Sequence, residues 1–182
     1  MSGLAAIILA GGRSQRMGRD KAAILWDGQT SVASLAAMAF AAGAAMVRVS
    51  GGDYGLPFTP DPSAFGGPVG GLLAAADALP RAERLLVLAV DAPTLWPEDL
   101  EPLLSAGRPG ACYAGLPLPM VVYRAALPCS LTANASLRRL VADAGLAELP
   151  PPPAALRRLR GANTPAELRL LRQSCPVVEA AR

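Results

Sequence analysis

A short apolar segment that ends at a pair of glycines is the feature that most constrains the fold of this 182-residue chain. Leu4 to Leu9 is continuously apolar, which is typical of a buried strand. The chain then turns at Gly11-Gly12 into a loop that carries three arginines and a lysine at positions 13–21. Glycines let backbone N–H groups approach an anion closely, and a basic loop at the carboxyl end of a strand is where an α/β protein binds phosphate. The segment therefore predicts an α/β fold with a phosphate-binding loop.

The lysine of this loop, Lys21, is the only lysine in the chain, since every other basic side chain is arginine. The loop matches neither G-x-G-x-x-G nor G-x-x-x-x-G-K-[ST], so it is a different kind of phosphate loop. A compact ammonium suits a site that follows moving phosphates better than a planar guanidinium does. We therefore predict that Lys21 binds phosphate, the alternative being a lysine on a solvated turn.

The composition excludes several classes of protein. Hydrophobic residues make up 52% of the chain and charged residues 17%, which excludes a disordered protein. The absence of histidine excludes histidine-based triads, histidine-ligated zinc and histidine general bases. A net charge of +3 is too small to indicate nucleic acid as a partner. The three cysteines, Cys112, Cys129 and Cys175, are predicted to be single buried thiols, because an odd and widely spaced set suggests neither a disulfide framework nor a metal site.

The N-terminal apolar stretch is too short for a signal peptide or a membrane span. We therefore expect a cytoplasmic protein with no membrane partner. The chain length is that of one domain with a single core.

The residues after the loop follow the order of a βαβ unit. Thr30 or Ser31 can cap a helix that runs to about Ala42 and ends at Gly43, and a second strand is expected at 46–49. The crossover between parallel strands should be right-handed. A short strand near Phe58 then leads to Asp61, a Gly/Pro-rich turn at 66–71 and a helix to Leu79. The start of that helix, around Val69 to Gly71, offers backbone N–H groups to an anion or a base.

Leu85 to Val90 is the strongest strand in the sequence, apolar without alternation as in a central parallel strand. It ends at Asp91, and a helix is predicted from Pro97 with Glu98 and Asp99 in its first turn. A carboxylate at the carboxyl end of a central strand lies at the crevice where open α/β sheets bind ligands. We predict that Asp91 holds Mg²⁺ on the nucleotide phosphates, the alternative being a cap of the following turn.

The pattern changes after Gly107. Strands at 111–114 and 120–123 are joined by a proline-rich link, which predicts a hairpin and a mixed sheet. A helix at 134–144, a stiff polyproline spacer at 150–153 and a final helix with a capping box between Thr164 and Glu167 follow. Three arginines precede that helix and are more typical of a solvated basic turn than of an anion site; they are Arg157, Arg158 and Arg160.

These elements predict a single three-layer α/β domain with a Rossmann-like, mostly parallel sheet and an antiparallel addition in the C-terminal half. We expect residues 1–107 to form the nucleotide-binding part and residues 108–182 the acceptor-binding part.

Four motifs in order resemble the molybdenum cofactor guanylyltransferase family, a branch of the nucleotidyltransferases with a dinucleotide-binding-like fold. They are LAGGRSQRMGRDK at 9–21, PD at 60–61 with GGPVGG at 66–71, VDAP at 90–93 and NTPAEL at 163–168. The resemblance implies transfer of GMP from GTP to the phosphate of molybdopterin, release of pyrophosphate and a need for Mg²⁺. It also implies transient contact with molybdenum cofactor insertion proteins.

The resemblance assigns roles to individual residues. Arg16, Lys21 and Asp91 are implied to be catalytic, with Asp91 binding the metal, and Asn163 is implied to bind the acceptor. Ser50 stands where the family more often has asparagine, and Gly161 replaces a first asparagine. The residues implied to bind the nucleotide are Leu9, Ala10, Gly11, Gly12, Lys21, Ser50, Asp61, Gly70 and Asp91.

Rival functions stay open at this point. A molybdopterin cytidylyltransferase using CTP is the nearest, although Gly11-Gly12 after Ala10 favours guanine because the cytidine branch tends to have Ala-Ala-Gly there. A sugar-1-phosphate nucleotidylyltransferase usually carries additional sequence for its sugar site. A non-catalytic nucleotide-binding module is disfavoured by the presence of both Lys21 and Asp91. The absence of histidine agrees with nucleotidyl transfer, because a phosphate monoester is already a nucleophile.

Overall fold

The computed structural model describes residues 3–11, 21–26, 28–62, 67–129, 131–162, 164, 166–167 and 169–170. Within them, seven strands form one sheet in the order β5-β4-β1-β6-β8-β7-β9, and β2 and β3 pair separately. The strands are β1 Leu4–Leu9, β2 Leu25–Trp26, β3 Gln29–Thr30, β4 Met46–Ser50, β5 Phe58–Thr59, β6 Arg84–Ala89, β7 Gly110–Tyr113, β8 Leu116–Tyr123 and β9 Ala147–Leu149. The α-helices are α1 Ser31–Ala41, α2 Gly67–Asp77, α3 Glu101–Leu104, α4 Leu137–Asp143 and α5 Leu156–Arg160.

The first half of the sheet is parallel. Strands β5, β4, β1 and β6 all run in the same direction, and every residue of β1 is buried. In the register, Leu9 pairs with both Ser50 and Ala89, and Ser50 pairs with Thr59. These four strands therefore end at one level, which we call the carboxyl edge.

The second half of the sheet is mixed. Strand β8 is antiparallel to β6 and to β7, and β9 is parallel to β7. The predicted hairpin is confirmed, but β8 begins at Leu116, inside the segment predicted to be only a link. Strand β9 was not predicted, because its three residues show no alternation and its pairing partner, β7, lies more than thirty positions earlier in the chain.

Hydrogen-bonding side chains set the helix boundaries. The Thr30 hydroxyl accepts a hydrogen bond from the Ala33 N–H at 3.2 Å and caps α1, as predicted. The predicted helix at 134–144 begins later, at Leu137, because the Ser136 hydroxyl accepts from the Arg139 N–H at 3.1 Å. The helix predicted from Pro97 is divided into a 3₁₀ turn, Pro97–Leu100, and α3.

Helices cover both faces of the sheet, which confirms the three-layer α/β fold. Neighbouring side chains of β1 point to opposite faces, and Ile8 belongs to one core cluster and Ile7 to the other. The Ile8 cluster includes Leu35 of α1, Leu103 of α3 and Leu159 of α5. The Ile7 cluster includes Leu72 of α2 and Leu140 of α4. In the part of the chain that the structure describes, no helix combines the length and apolarity needed to cross a membrane.

Candidate active site at the carboxyl edge

The carboxyl edge brings together four segments that are far apart in the sequence. The hydrogen bonding between neighbouring strands continues one residue beyond their ends. The Ala10 N–H donates to the Ser50 carbonyl at 2.9 Å, and the Gly51 N–H donates to the Thr59 carbonyl at 2.9 Å. On the other side of β1, the Val90 N–H donates to the Leu9 carbonyl at 3.3 Å. The segments that follow β1, β4, β5 and β6 therefore meet at one edge, where open α/β sheets bind ligands.

Gly11, Ser50, Asp61 and Gly71 form a tight group that we call the Asp61 corner. The Ser50 hydroxyl is buried and lies 3.3 Å from Asp61 Oδ1, to which it donates a hydrogen bond. A Cβ atom on Gly11 would lie 2.3 Å from Asp61 Oδ2, and one on Gly71 would lie 2.3 Å from Ser50 Oγ. Both positions thus require glycine for lack of space. The corner leaves the Asp61 side chain exposed at the edge.

Gly51 closes this corner from the side of β4. Its φ angle is +124°, and a Cβ atom there would lie 2.8 Å from the Gly11 nitrogen. Both the backbone conformation and the close approach of two chain segments therefore favour glycine. This residue was not among the predicted ones, although its place directly after a strand is a signal that the sequence offers.

At the start of α2, Gly71 is part of the Asp61 corner, whereas the predicted residue is its neighbour Gly70. The Gly70 N–H donates to the Ala133 carbonyl at 3.1 Å, so it is bonded within the chain. Gly71 is the residue of α2 that lies against Ser50 and Asp61. A contact of Gly70 with nucleotide stays a prediction.

Asp91 lies half-buried just beyond β6 and is in contact with the C-terminal segment. Its carbonyl accepts a hydrogen bond from the Ala162 N–H at 2.7 Å. A Cβ atom on Gly161 would lie 2.3 Å from the same carbonyl oxygen, and the Gly161 φ angle is +62°. This contact leaves no room for a side chain at position 161. It also brings the chain next to Asn163, which itself lies outside the described residues, to the Asp91 segment.

The backbone of Lys21 belongs to a 3₁₀ turn, Lys21–Ala23. Ala22 is fully buried in the core cluster that contains Ala92, and Trp26 packs against Ala162. The segments that carry Lys21 and Asp91 thus both contribute an alanine to the core cluster on the Ile8 face of the sheet. The predicted Gly12 and Arg16 lie outside the described residues, so their roles stay predictions.

A second group at the edge was missed by sequence reasoning. Arg158 Nε and Nη2 donate to the two carboxylate oxygens of Asp99 at 2.7 and 2.6 Å, and the Trp96 N–H donates to Asp99 Oδ2 at 3.0 Å. The Arg158 guanidinium also lies over the Trp96 ring, 4.1 Å from its centroid. The prediction of a solvated turn was therefore wrong for Arg158, whose side chain is only 13% exposed. Fifty-nine residues separate this ion pair, so no local pattern indicates it.

Two buried groups of β7 have raised pKa values. The Tyr113 hydroxyl donates to the Asp99 carbonyl, and burial, followed by the nearby Asp99 charge, raises the pKa of Tyr113 to about 12. Burial, followed by the charge of Glu148, raises the pKa of Cys112 to about 11, which keeps this thiol protonated and unreactive near neutral pH. Cys112 is buried as predicted, whereas the prediction was wrong for Cys129, which is exposed.

The sequence model of a protein family described as the MobA-like NTP transferase domain matches residues 6–150. The chain belongs to this family. A relative of this MobA-like chain from Rhodobacter capsulatus, named molybdenum cofactor guanylyltransferase, is 40% identical over 114 residues, with 58% of this chain and 60% of the relative covered. One of the same name from Xanthomonas euvesicatoria pv. vesicatoria is 37% identical over 102 residues, with 56% of this chain and 54% of the relative covered. The matches thus span little more than half the length of these relatives.

The fold of this MobA-like chain is shared with nucleotidyltransferases of known structure. The 2-C-methyl-D-erythritol 4-phosphate cytidylyltransferase of Thermus thermophilus superimposes with a TM-score of 0.62 over 97% of this chain and 100% of that one, at 17% identity. A fold that also occurs in a cytidylyltransferase does not by itself select guanine. The base that an enzyme of this fold accepts is decided by the residues of its site.

Proposed function

We propose that this MobA-like chain transfers GMP from GTP to the phosphate of molybdopterin and releases pyrophosphate. The structural observation that supports it most is the Asp61 corner, an exposed carboxylate enclosed by glycines at the carboxyl edge. Such a corner holds the Asp61 side chain close to the backbone at Gly11 and Gly71 and offers a hydrogen-bond acceptor to the base or the ribose. The name shared by the relatives points to guanylyl transfer and to the molybdenum cofactor.

The proposed reaction needs no general base. An oxygen of the acceptor phosphate forms a bond to the α-phosphorus of GTP, and the bond from that phosphorus to the oxygen bridging to the β-phosphorus breaks. The electron pair leaves with pyrophosphate, and no proton has to be removed from the nucleophile. The protein therefore contributes in-line positioning and neutralisation of charge. We assign the neutralisation to Lys21 and Arg16, the latter next to the leaving pyrophosphate.

Asp91 fits the Mg²⁺ ion that the proposal requires. Among the described residues no group of three or more His, Cys, Asp or Glu side chains is arranged to hold a metal. Mg²⁺ on a nucleotide is commonly held by one or two carboxylates together with phosphate oxygens and water, so a half-buried aspartate at the edge is a suitable protein ligand. When bound, Mg²⁺ would neutralise phosphate charge. We further propose that the reaction takes place in the cytoplasm, with transient transfer of the product to insertion proteins.

The nucleotide specificity is tested by supplying the purified chain with molybdopterin, Mg²⁺ and each of the four nucleoside triphosphates, and measuring pyrophosphate. We expect release with GTP at a rate at least tenfold above that with the others, a ratio typical of a site with specific polar contacts to the base. Preference for CTP would instead assign the cytidylyl reaction. GTP binding without any pyrophosphate release would assign a non-catalytic nucleotide-binding module.

A further inference from the structure

An open cleft of about 650 Å³ lies at the carboxyl edge, outside the Asp61 corner. This volume is within the range of small-molecule sites. One wall follows β6 and the other follows β9, and the pairing of β6, β8, β7 and β9 directs both strands to the same edge. We call it the Trp96 cleft; its lining residues are Trp96, Glu98, Asp99, Pro152, Ala154, Ala155 and Arg158.

The indole of Trp96 is a flat apolar surface that is held in place. It is 44% exposed, which is unusual for a large aromatic side chain, and the Arg158 guanidinium stacks over its ring. Asp99, only 4% exposed, binds that guanidinium through two hydrogen bonds. The ion pair therefore fixes the guanidinium on one face of the indole, and a planar ligand that stacks on the ring does not first have to order this side chain.

Glu98 supplies a carboxylate in the same cleft. The oxygens of Asp99 are already engaged by Arg158 and by the Trp96 N–H. Glu98 is exposed, and across the described ranges of the chain it makes no hydrogen bond or ion pair with another described residue. An ionised carboxylate accepts two parallel N–H groups. The edge of a 2-amino-4-oxopyrimidine ring presents two such groups side by side.

We propose that the Trp96 cleft binds a fused heteroaromatic ring with a 2-amino-4-oxopyrimidine edge, stacked on Trp96 and hydrogen-bonded to Glu98, and that this ring is the pterin of the acceptor. This identification of the ligand rests on the proposed function. Guanine carries the same edge, but the proposed base site at Asp61 follows β5, and the cleft lies beyond β6, where α5 packs against β8. The Asp91 segment, which follows β6, lies between them.

The first test measures binding without catalysis. Pterin and lumazine, which lacks the 2-amino group, are titrated into the full chain by calorimetry. We expect pterin to bind at least about tenfold more tightly than lumazine, as for the loss of one hydrogen bond to a charged group. Glu98→Gln should abolish the preference for pterin over lumazine. Trp96→Ala should weaken the binding of both ligands about tenfold, as for the loss of one stacked base. Trp96→Phe should recover most of the loss.

Two control variants match these changes outside the cleft. Phe40→Ala removes an aromatic side chain that is 51% exposed on α1, and Glu101→Gln neutralises an exposed carboxylate at the start of α3. Neither should change pterin binding. The proposal would be overturned if pterin did not bind detectably or bound to Trp96→Ala as it does to the wild type. It would also be overturned if a saturating concentration of GTP prevented pterin from binding.

The second test separates this proposal from the function on which it rests. In the pyrophosphate assay, Trp96→Ala should raise the KM for molybdopterin about tenfold and leave the KM for GTP unchanged. An active wild-type chain whose acceptor KM is insensitive to Trp96 would overturn the cleft and keep the proposed function. A wild-type chain that releases no pyrophosphate but binds pterin through Trp96 would overturn the proposed function and keep the Trp96 cleft as a binding site for the ring.

Discussion

Asp61 and Asp99 are two carboxylates at the same edge of one sheet, and their surroundings are opposite. Asp61 is exposed and, in the part of the chain described, has one side-chain hydrogen bond, from Ser50 at 3.3 Å. Asp99 is buried, and its carboxylate accepts three hydrogen bonds, two from Arg158 and one from the Trp96 N–H. The Asp61 carboxylate can therefore still accept hydrogen bonds from a ligand, whereas the oxygens of Asp99 are engaged in contacts within the protein.

The two regions around these carboxylates are also built differently. The Asp61 corner consists of small residues, and its shape comes from backbone segments in close contact. The Trp96 cleft consists of large side chains, and its shape comes from an ion pair that joins α5 to the segment after β6. Added side-chain volume should therefore disrupt the Asp61 corner, whereas the loss of a charged side chain should disrupt the Trp96 cleft.

The largest effect is expected between the two regions, at Asp91. Asp91→Asn removes the charge proposed to hold Mg²⁺, so the rate of pyrophosphate release with GTP should fall by about a thousandfold, as when one electrostatic contact to a reacting group is lost. Circular dichroism should show an unchanged fold. Asp77→Asn, at the exposed end of α2, is the matched control. A wild-type rate in Asp91→Asn would refute the metal assignment.

The next effect tests the ion pair of the cleft. Arg158→Met removes one partner of a buried pair and leaves Asp99 without its counter-charge, which should lower the free energy of unfolding by about 3 kcal/mol. Denaturant unfolding measures the difference. Arg139→Met breaks an exposed pair with Asp143 within one helix and should have little effect. Equal losses in the two variants would show that burial does not distinguish these ion pairs.

A smaller effect is expected when volume is added to the corner. Gly11→Ala places a methyl group 2.3 Å from the Asp61 carboxylate, so Asp61 must move, and we expect the KM for GTP to rise about tenfold, as when a ligand contact is lost. Gly107→Ala is the control, because a Cβ atom there meets nothing within 4 Å. If Gly11→Ala kept the KM of the wild type, Asp61 would not be a nucleotide contact.

The smallest effect concerns pH and the buried Tyr113 beneath the ion pair. Because the pKa of Tyr113 is raised to about 12, the unfolded chain loses this proton near pH 10 while the folded chain retains it. Stability should therefore fall as the pH rises from 10 to 12, by about 1 kcal/mol at pH 11 from this group. Tyr113→Phe should lose about 1 kcal/mol less stability by pH 11, because it lacks the titrating hydroxyl. The titration of Cys112 contributes equally to the pH dependence of both proteins. Unfolding curves at pH 8 and pH 11 give the comparison, and identical pH dependence in the two proteins would contradict it.

The sequence predicted those parts of the fold that local patterns specify. The apolar runs of β1 and β6 indicated parallel strands buried on both faces, and Thr30 indicated the start of α1. Asp91 was predicted to bind the metal because it follows the central strand, at the edge where open α/β sheets bind ligands. The likeness to the family assigned Asp61 its role in nucleotide binding, and the roles of both aspartates stay predictions.

Contacts between distant segments were decided only by the tertiary structure. The Arg158–Asp99 pair, the packing of Gly161 on Asp91 and the pairing of β9 with β7 each join positions separated by more than thirty residues. Hydrophobic periodicity and capping report the conformation of a residue relative to its near neighbours in the chain. They contain no information on which distant side chain will share a buried site, because that depends on how the whole sheet and its covering helices pack.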